Sequence, residues 1–102
     1  MNTDELNQYL KSNSSAYNIF IEKALDDQKA RNERRPVAKR WDIGKIERKA
    51  EKMWTDVVTS LYDKLRMESS IKGKEPIYWV KFIADKEILD NFENSMAELE
   101  FE

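Results

Sequence analysis

The segment IYWVKFIA, Ile77 to Ala84, decides the fold class of this chain. Six of its eight residues are β-branched or aromatic, the composition of a residue run that fits a pleated, half-buried surface. As a strand, its two faces are Tyr78, Val80 and Phe82 against Ile77, Trp79, Lys81 and Ile83. Both faces are largely apolar, so a strand here is expected to be covered on both sides. Pro76 supplies the alternative, because proline suits the first position of a helix. The composition favours the strand, and with it an α+β fold.

Toward the C-terminus, DKEILDNFENSM (85–96) returns to helical spacing through Ile88, Leu89, Phe92 and Met96, with Asp85 as the expected cap. The closing AELEFE (97–102) alternates strictly, with Ala97, Leu99 and Phe101 apolar and glutamates between them. That is strand period, and the stretch is expected to pair with 77–83; continuation of the last helix to Leu99 is the alternative. Two strands are only marginally stable unless they pack on helices or are extended by another chain. An unpaired edge is therefore a reason to expect a homodimer or a protein partner.

Toward the N-terminus, ESSIKGKEP (68–76) reads as a loop holding the breakers Gly73 and Pro76. Before it lies the strongest periodic signal of the chain. Ile46, Ala50, Met53, Trp54, Val57, Val58, Leu61, Tyr62 and Leu65 form a continuous apolar stripe, opposite Arg48, Lys49, Lys52, Thr55, Asp56, Thr59 and Asp63. A second helix is expected from Ala16 to about Arg35, through Tyr17, Phe20, Ile21, Ala24 and Leu25, and stopped by Pro36. A short leading helix over 3–11 precedes it, and Ser14 or Ser15 is the candidate cap between them. PVAKRWDIG (36–44) joins the two longer helices, with Asp42 as an expected N-cap, which makes an antiparallel hairpin. The expected architecture is thus a single domain over 1–102. An N-terminal helical hairpin (1–67 mainly helical) packs on a small C-terminal β-element with a short helix, strand–helix–strand or strand–helix over 77–102.

Composition excludes several kinds of chemistry. With 102 residues the chain can bury one modest core, and with 37% charged residues the outside of that core must be densely ionic. There is no cysteine, hence no disulfide, thiolate zinc site or thiol nucleophile. There is no histidine, which removes the commonest general base and a common metal ligand together. Serines 12, 14, 15, 69 and 70 have no histidine to activate them and read as caps. Asp42 with Glu47 and Lys49 has the residue types used by metal-dependent nucleases. On a helix, however, residues two apart diverge by about 200°, so Glu47 and Lys49 cannot share a site. No catalytic residue, cofactor, metal site or small-molecule substrate is expected. No apolar run is long enough to cross a membrane, and MNTDELNQYL lacks a basic region followed by an apolar one, so the expected compartment is cytoplasmic.

Charge is distributed unevenly. Residues 29–52 carry ten basic against four acidic side chains, a net +6, and residues 85–102 carry one lysine against seven acids, a net −6. The basic stretch NERRPVAKRWDIGKIERK (32–49) supports two readings. The first is a protein contact at the hairpin tip by Arg34, Arg35, Lys39, Arg40, Trp41 and Arg48, an arginine–aromatic mixture of the kind that forms binding hot spots. The second is nucleic-acid binding by the basic face of 31–52, with Trp41 stacking on a base; here Glu33, Asp42, Glu47 and Glu51 interrupt the positive field. Tyr78, Trp79, Glu98 and Glu100 form a candidate second surface. Lysine outnumbers arginine twelve to six, a bias common in AT-rich bacterial and phage genomes. The leading expectation is a small non-catalytic protein-binding module, an adaptor or inhibitor encoded by a phage or mobile element and acting on a host protein. The alternative is a nucleic-acid-binding protein.

Overall fold

The structure is a computed structural model and describes residues 1–101. Five α-helices account for it: α1 (Thr3–Asn13), α2 (Ala16–Glu33), α3 (Ile43–Leu65), α4 (Pro76–Asp85) and α5 (Ile88–Glu98), with one turn of 3-10 helix at Val37–Lys39. No helix among the described residues is long and apolar enough to cross a membrane.

Among the described residues the expected C-terminal β-element does not form, and the α+β class is corrected to all-α. Residues 77–84 lie within α4, with Pro76 in its first turn. Two physical effects outweigh strand propensity here. Proline fixes a helical φ at a position whose N–H needs no helical partner. A four-residue spacing then places Trp79 (3% exposed) and Ile83 (1%) together in the core, while Ile77 (70% exposed) and Tyr78 face outward. The apolar character on both apparent strand faces is that of a helix with one side buried and an apolar first turn left outside. The expected pairing partner is helical too. Ala97 and Glu98 end α5, and Leu99–Phe101 follow without pairing to any strand among the described residues; Glu102 lies outside the described residues. With no sheet edge to complete, that particular reason for expecting a second copy falls.

Asp85 is likewise not a cap: it is the last residue of α4. The turn into α5 is made by Lys86 and Glu87, and Glu87 adopts a left-handed backbone, φ 55°, a region that non-glycine residues seldom occupy.

α2 and α3 form an antiparallel hairpin. The Tyr17 ring packs edge-on against Trp54, and at the other end Asn32 bonds to Trp41. Asp42 caps α3, its carboxylate accepting from the Lys45 N–H at 2.8 Å. Asn2 and Glu5 cap α1 reciprocally, each side chain taking the other's backbone N–H at 2.8 and 3.1 Å. Ser14 takes the joint between α1 and α2: its hydroxyl donates to Leu10 O and accepts from Ala16 N.

α3 spans 23 residues, about 34 Å at 1.5 Å per residue. It outruns α2, so the molecule is a rod measuring 52 × 22 × 21 Å. Beyond the hairpin α3 packs directly on α1, while α4 and α5 reach it through side chains, Trp79 on Tyr62 and Phe92 beside Trp54. Trp54, at its middle, is the hub. Its ring touches Tyr17 and Phe20 of α2 and Phe92 of α5, and its indole N–H donates to Asn7 Oδ1 of α1 at 2.8 Å. Trp79 stacks on Tyr62 at 5.4 Å between centroids, which seats α4 on the far end of α3; its indole N–H is buried with no partner among the described residues. α5 runs beside α2: Glu93 accepts from the Ser15 N–H, and the Lys23 ammonium donates to the Ala97 and Leu99 carbonyls at the end of α5. A cation at a helix C-terminus satisfies carbonyls that the helix itself leaves open.

Candidate functional site

Pro36 ends α2, and the chain turns through Val37–Lys39 before Asp42 starts α3. Asn32 builds the rest of the tip. Its amide N donates to Trp41 O at 3.0 Å, and its carbonyl accepts from Trp41 N at 2.8 Å and from Arg35 Nη1 at 3.1 Å. One side chain thus fixes the tryptophan backbone at both polar atoms. Arg40 closes the turn, with Nε donating to Arg35 O at 3.2 Å and Nη2 to Glu33 O at 3.1 Å, which satisfies carbonyls at the end of α2.

The Trp41 ring is half-buried with two cations against it, Arg35 at 4.0 Å and Lys45 at 4.5 Å from its centroid. Around it the surface is apolar and positive together. Val37 is 77% exposed and Ile43 55%, while Arg34, Lys39 and Arg40 are exposed beside them. The acids that break the field in sequence do not pair with these cations. Asp42 is occupied as a cap, Glu51 accepts from the Tyr17 hydroxyl, and among the described residues the ion pairs of the basic stretch are Arg31 with Asp27 and Lys52 with Asp56.

The structure therefore sorts the expected contact residues. Arg35, Arg40 and Trp41 are joined in one bonded cluster, with Arg34 and Lys39 exposed on the same turn. Arg48 lies elsewhere, in a groove of about 590 Å³ with Tyr17, Ile21, Leu25, Gly44, Glu47 and Glu51. The candidate second surface does not assemble as expected. Trp79 is core, whereas Tyr78 is exposed in the first turn of α4 and Glu98 and Glu100 are exposed at the end of α5 and just past it. Sequence reasoning missed Asn32 and Gln28. An asparagine four residues before a proline, near a helix end, is a usable signal for a backbone-bonding side chain. Gln28 gave none, because its burial depends on Met53 of α3.

Tyr17, in the Arg48 groove, has a displaced titration. Burial first, then the hydrogen bond to Glu51 and that carboxylate's charge, push its phenol up to about 12. Below pH 10 the phenol is protonated in both folded and unfolded chains, and its contribution to stability is fully present. Between pH 10 and 12 the unfolded chain releases the proton while the folded chain holds it, so that contribution is lost as pH rises. Tyrosinate absorbance of wild type minus that of Tyr17→Phe is expected to show one phenol ionising near pH 12; a midpoint near 10 would remove the Glu51 interaction. Among the described residues, no three carboxylates group as metal ligands. Comparison with protein-family models, curated proteins and solved structures finds no match to this chain.

Proposed function

We propose that the chain is a small non-catalytic protein-binding module of the adaptor or inhibitor kind, which meets an acidic protein surface with the tip of the α2–α3 hairpin. One observation carries the reading: Val37 and Ile43 are exposed beside Arg34, Lys39 and Arg40, which have no carboxylate partner among the described residues. An apolar centre with a charged rim is how protein contacts are commonly built. The nucleic-acid reading uses the same cations but loses its stacking platform, because Arg35 and Lys45 already cover the Trp41 ring.

The structure also selects the substitutions for a test. Reversing Arg35 or Arg40 would disturb the tip itself, since both bond to it, whereas Arg34→Glu/Lys39→Glu changes only exposed charge. A photo-crosslinking residue at Val37 is expected to give a discrete protein adduct in host lysate. The adduct is expected to disappear in the Arg34→Glu/Lys39→Glu background and to be absent with the crosslinker at exposed Asn94 of α5. DNA and RNA are expected not to bind at about 50 or 200 mM salt. Salt-sensitive nucleic-acid binding lost in the same double variant would overturn the proposal.

A further inference from the structure

Beside the tip, between α2, α3 and the residues after α5, lies a groove of about 460 Å³. Its cations are Arg35 and Lys49, together with Arg31, whose Nε is already paired with Asp27 at 2.8 Å. Its other walls are Asp27 itself, Gln28, Trp41, Met53 and Phe101. Gln28 is only 6% exposed, and its amide N meets nothing better than the Met53 thioether at 3.7 Å, a weak acceptor. Its carbonyl has no hydrogen-bond partner among the described residues. A peptide unit offers that N–H a stronger acceptor than the thioether, and offers the amide carbonyl a donor.

A piece of acidic chain already borders this groove. Phe101, from the acidic stretch that carries Glu98 and Glu100, packs edge-on against Phe20 at 5.8 Å and forms one wall. We infer that the groove binds a short acidic peptide segment of the partner protein, in which glutamate or aspartate alternates with an apolar or aromatic residue. Carboxylates meet Lys49 and Arg35, the backbone meets the Gln28 amide, and the apolar side chain lies against Met53 and Phe101. The inference rests on the reading of the adjoining tip as a protein contact and names the chemistry that tip would meet.

The test measures anisotropy of a fluorescein-labelled peptide made of two Glu-Leu-Glu-Phe-Glu units. The controls are the same peptide with lysine for glutamate and a labelled oligothymidine. Wild type is expected to bind the acidic peptide and neither control. Lys49→Glu, a change of exposed charge, is expected to weaken binding at least about tenfold. Gln28→Met, which keeps the volume of the side chain, is expected to weaken it severalfold with an unchanged melting temperature. No binding of the acidic peptide, binding indifferent to Lys49→Glu, or tighter oligothymidine binding that Lys49→Glu abolishes would each overturn the inference. If the groove fails while the Val37 adduct persists in Lys49→Glu, the tip contact stands without it; if the Val37 adduct is also absent, the tip reading itself has failed.

Discussion

Replacing Trp54 with alanine is expected to remove about 3 to 5 kcal/mol of stability, enough to leave the chain largely unfolded if its total lies at the low end of the usual 5 to 15 kcal/mol or so. The size follows from where the indole sits. It is 1% exposed, touches Tyr17, Phe20 and Phe92, and gives its N–H to Asn7. Three helices therefore lose their shared contact with α3 at once, and a rod only 22 Å across has few other side chains to close the void. Trp41→Ala should cost far less, because that ring is half-buried and its segment is held through backbone atoms by Asn32. Urea unfolding followed by helical circular dichroism measures both. Equal losses for the two tryptophans would show that the hub is misplaced.

The second large effect separates a helix from a strand at residues 77–83. Ile77 and Ile83 are six residues apart, so in a strand they share a face and lysine should harm either position alike. In α4 they point in different directions, with Ile77 exposed and Ile83 buried. Ile83→Lys is expected to cost about 4 kcal/mol or more, from lost packing and an unpaired buried charge. Ile77→Lys should stay within about 0.5 kcal/mol of wild type, as exposed substitutions do. Matched losses at the two positions would support the strand.

The helical two-thirds of the fold was legible because its signals are local. The stripe from Ile46 to Leu65 names the buried side of α3, and Pro36 and Asp42 mark the ends of the hairpin turn. The C-terminal third was misread because Ile77–Ala84 carries strand propensity at every position except Lys81 and Ala84, and propensity is a weak prior against packing. Pro76 is the deciding residue, since its fixed φ starts the helix that packing then completes. The alternation of Ala97, Leu99 and Phe101 reflects a helix end followed by an irregular segment, with Leu99 and Phe101 packed on the core. At the tip, the sequence identified Arg35, Arg40 and Trp41 as neighbours. It could not show that Arg40 closes the end of α2 or that Asn32 grips Trp41, since those bonds depend on the path of the turn. The grouping of Gln28 with Lys49 and Phe101 depends on three separate elements, and no linear pattern encodes it.

Among the described residues the molecule is a five-helix rod with no strand, the frame on which we propose the exposed tip and its groove as the binding surface. Backbone ¹³Cα chemical shifts through residues 76–98 test it most directly. Unbroken helical shifts over 76–85 and 88–98, interrupted only at Lys86 and Glu87, are the expected result. Extended shifts over 77–83 would contradict it.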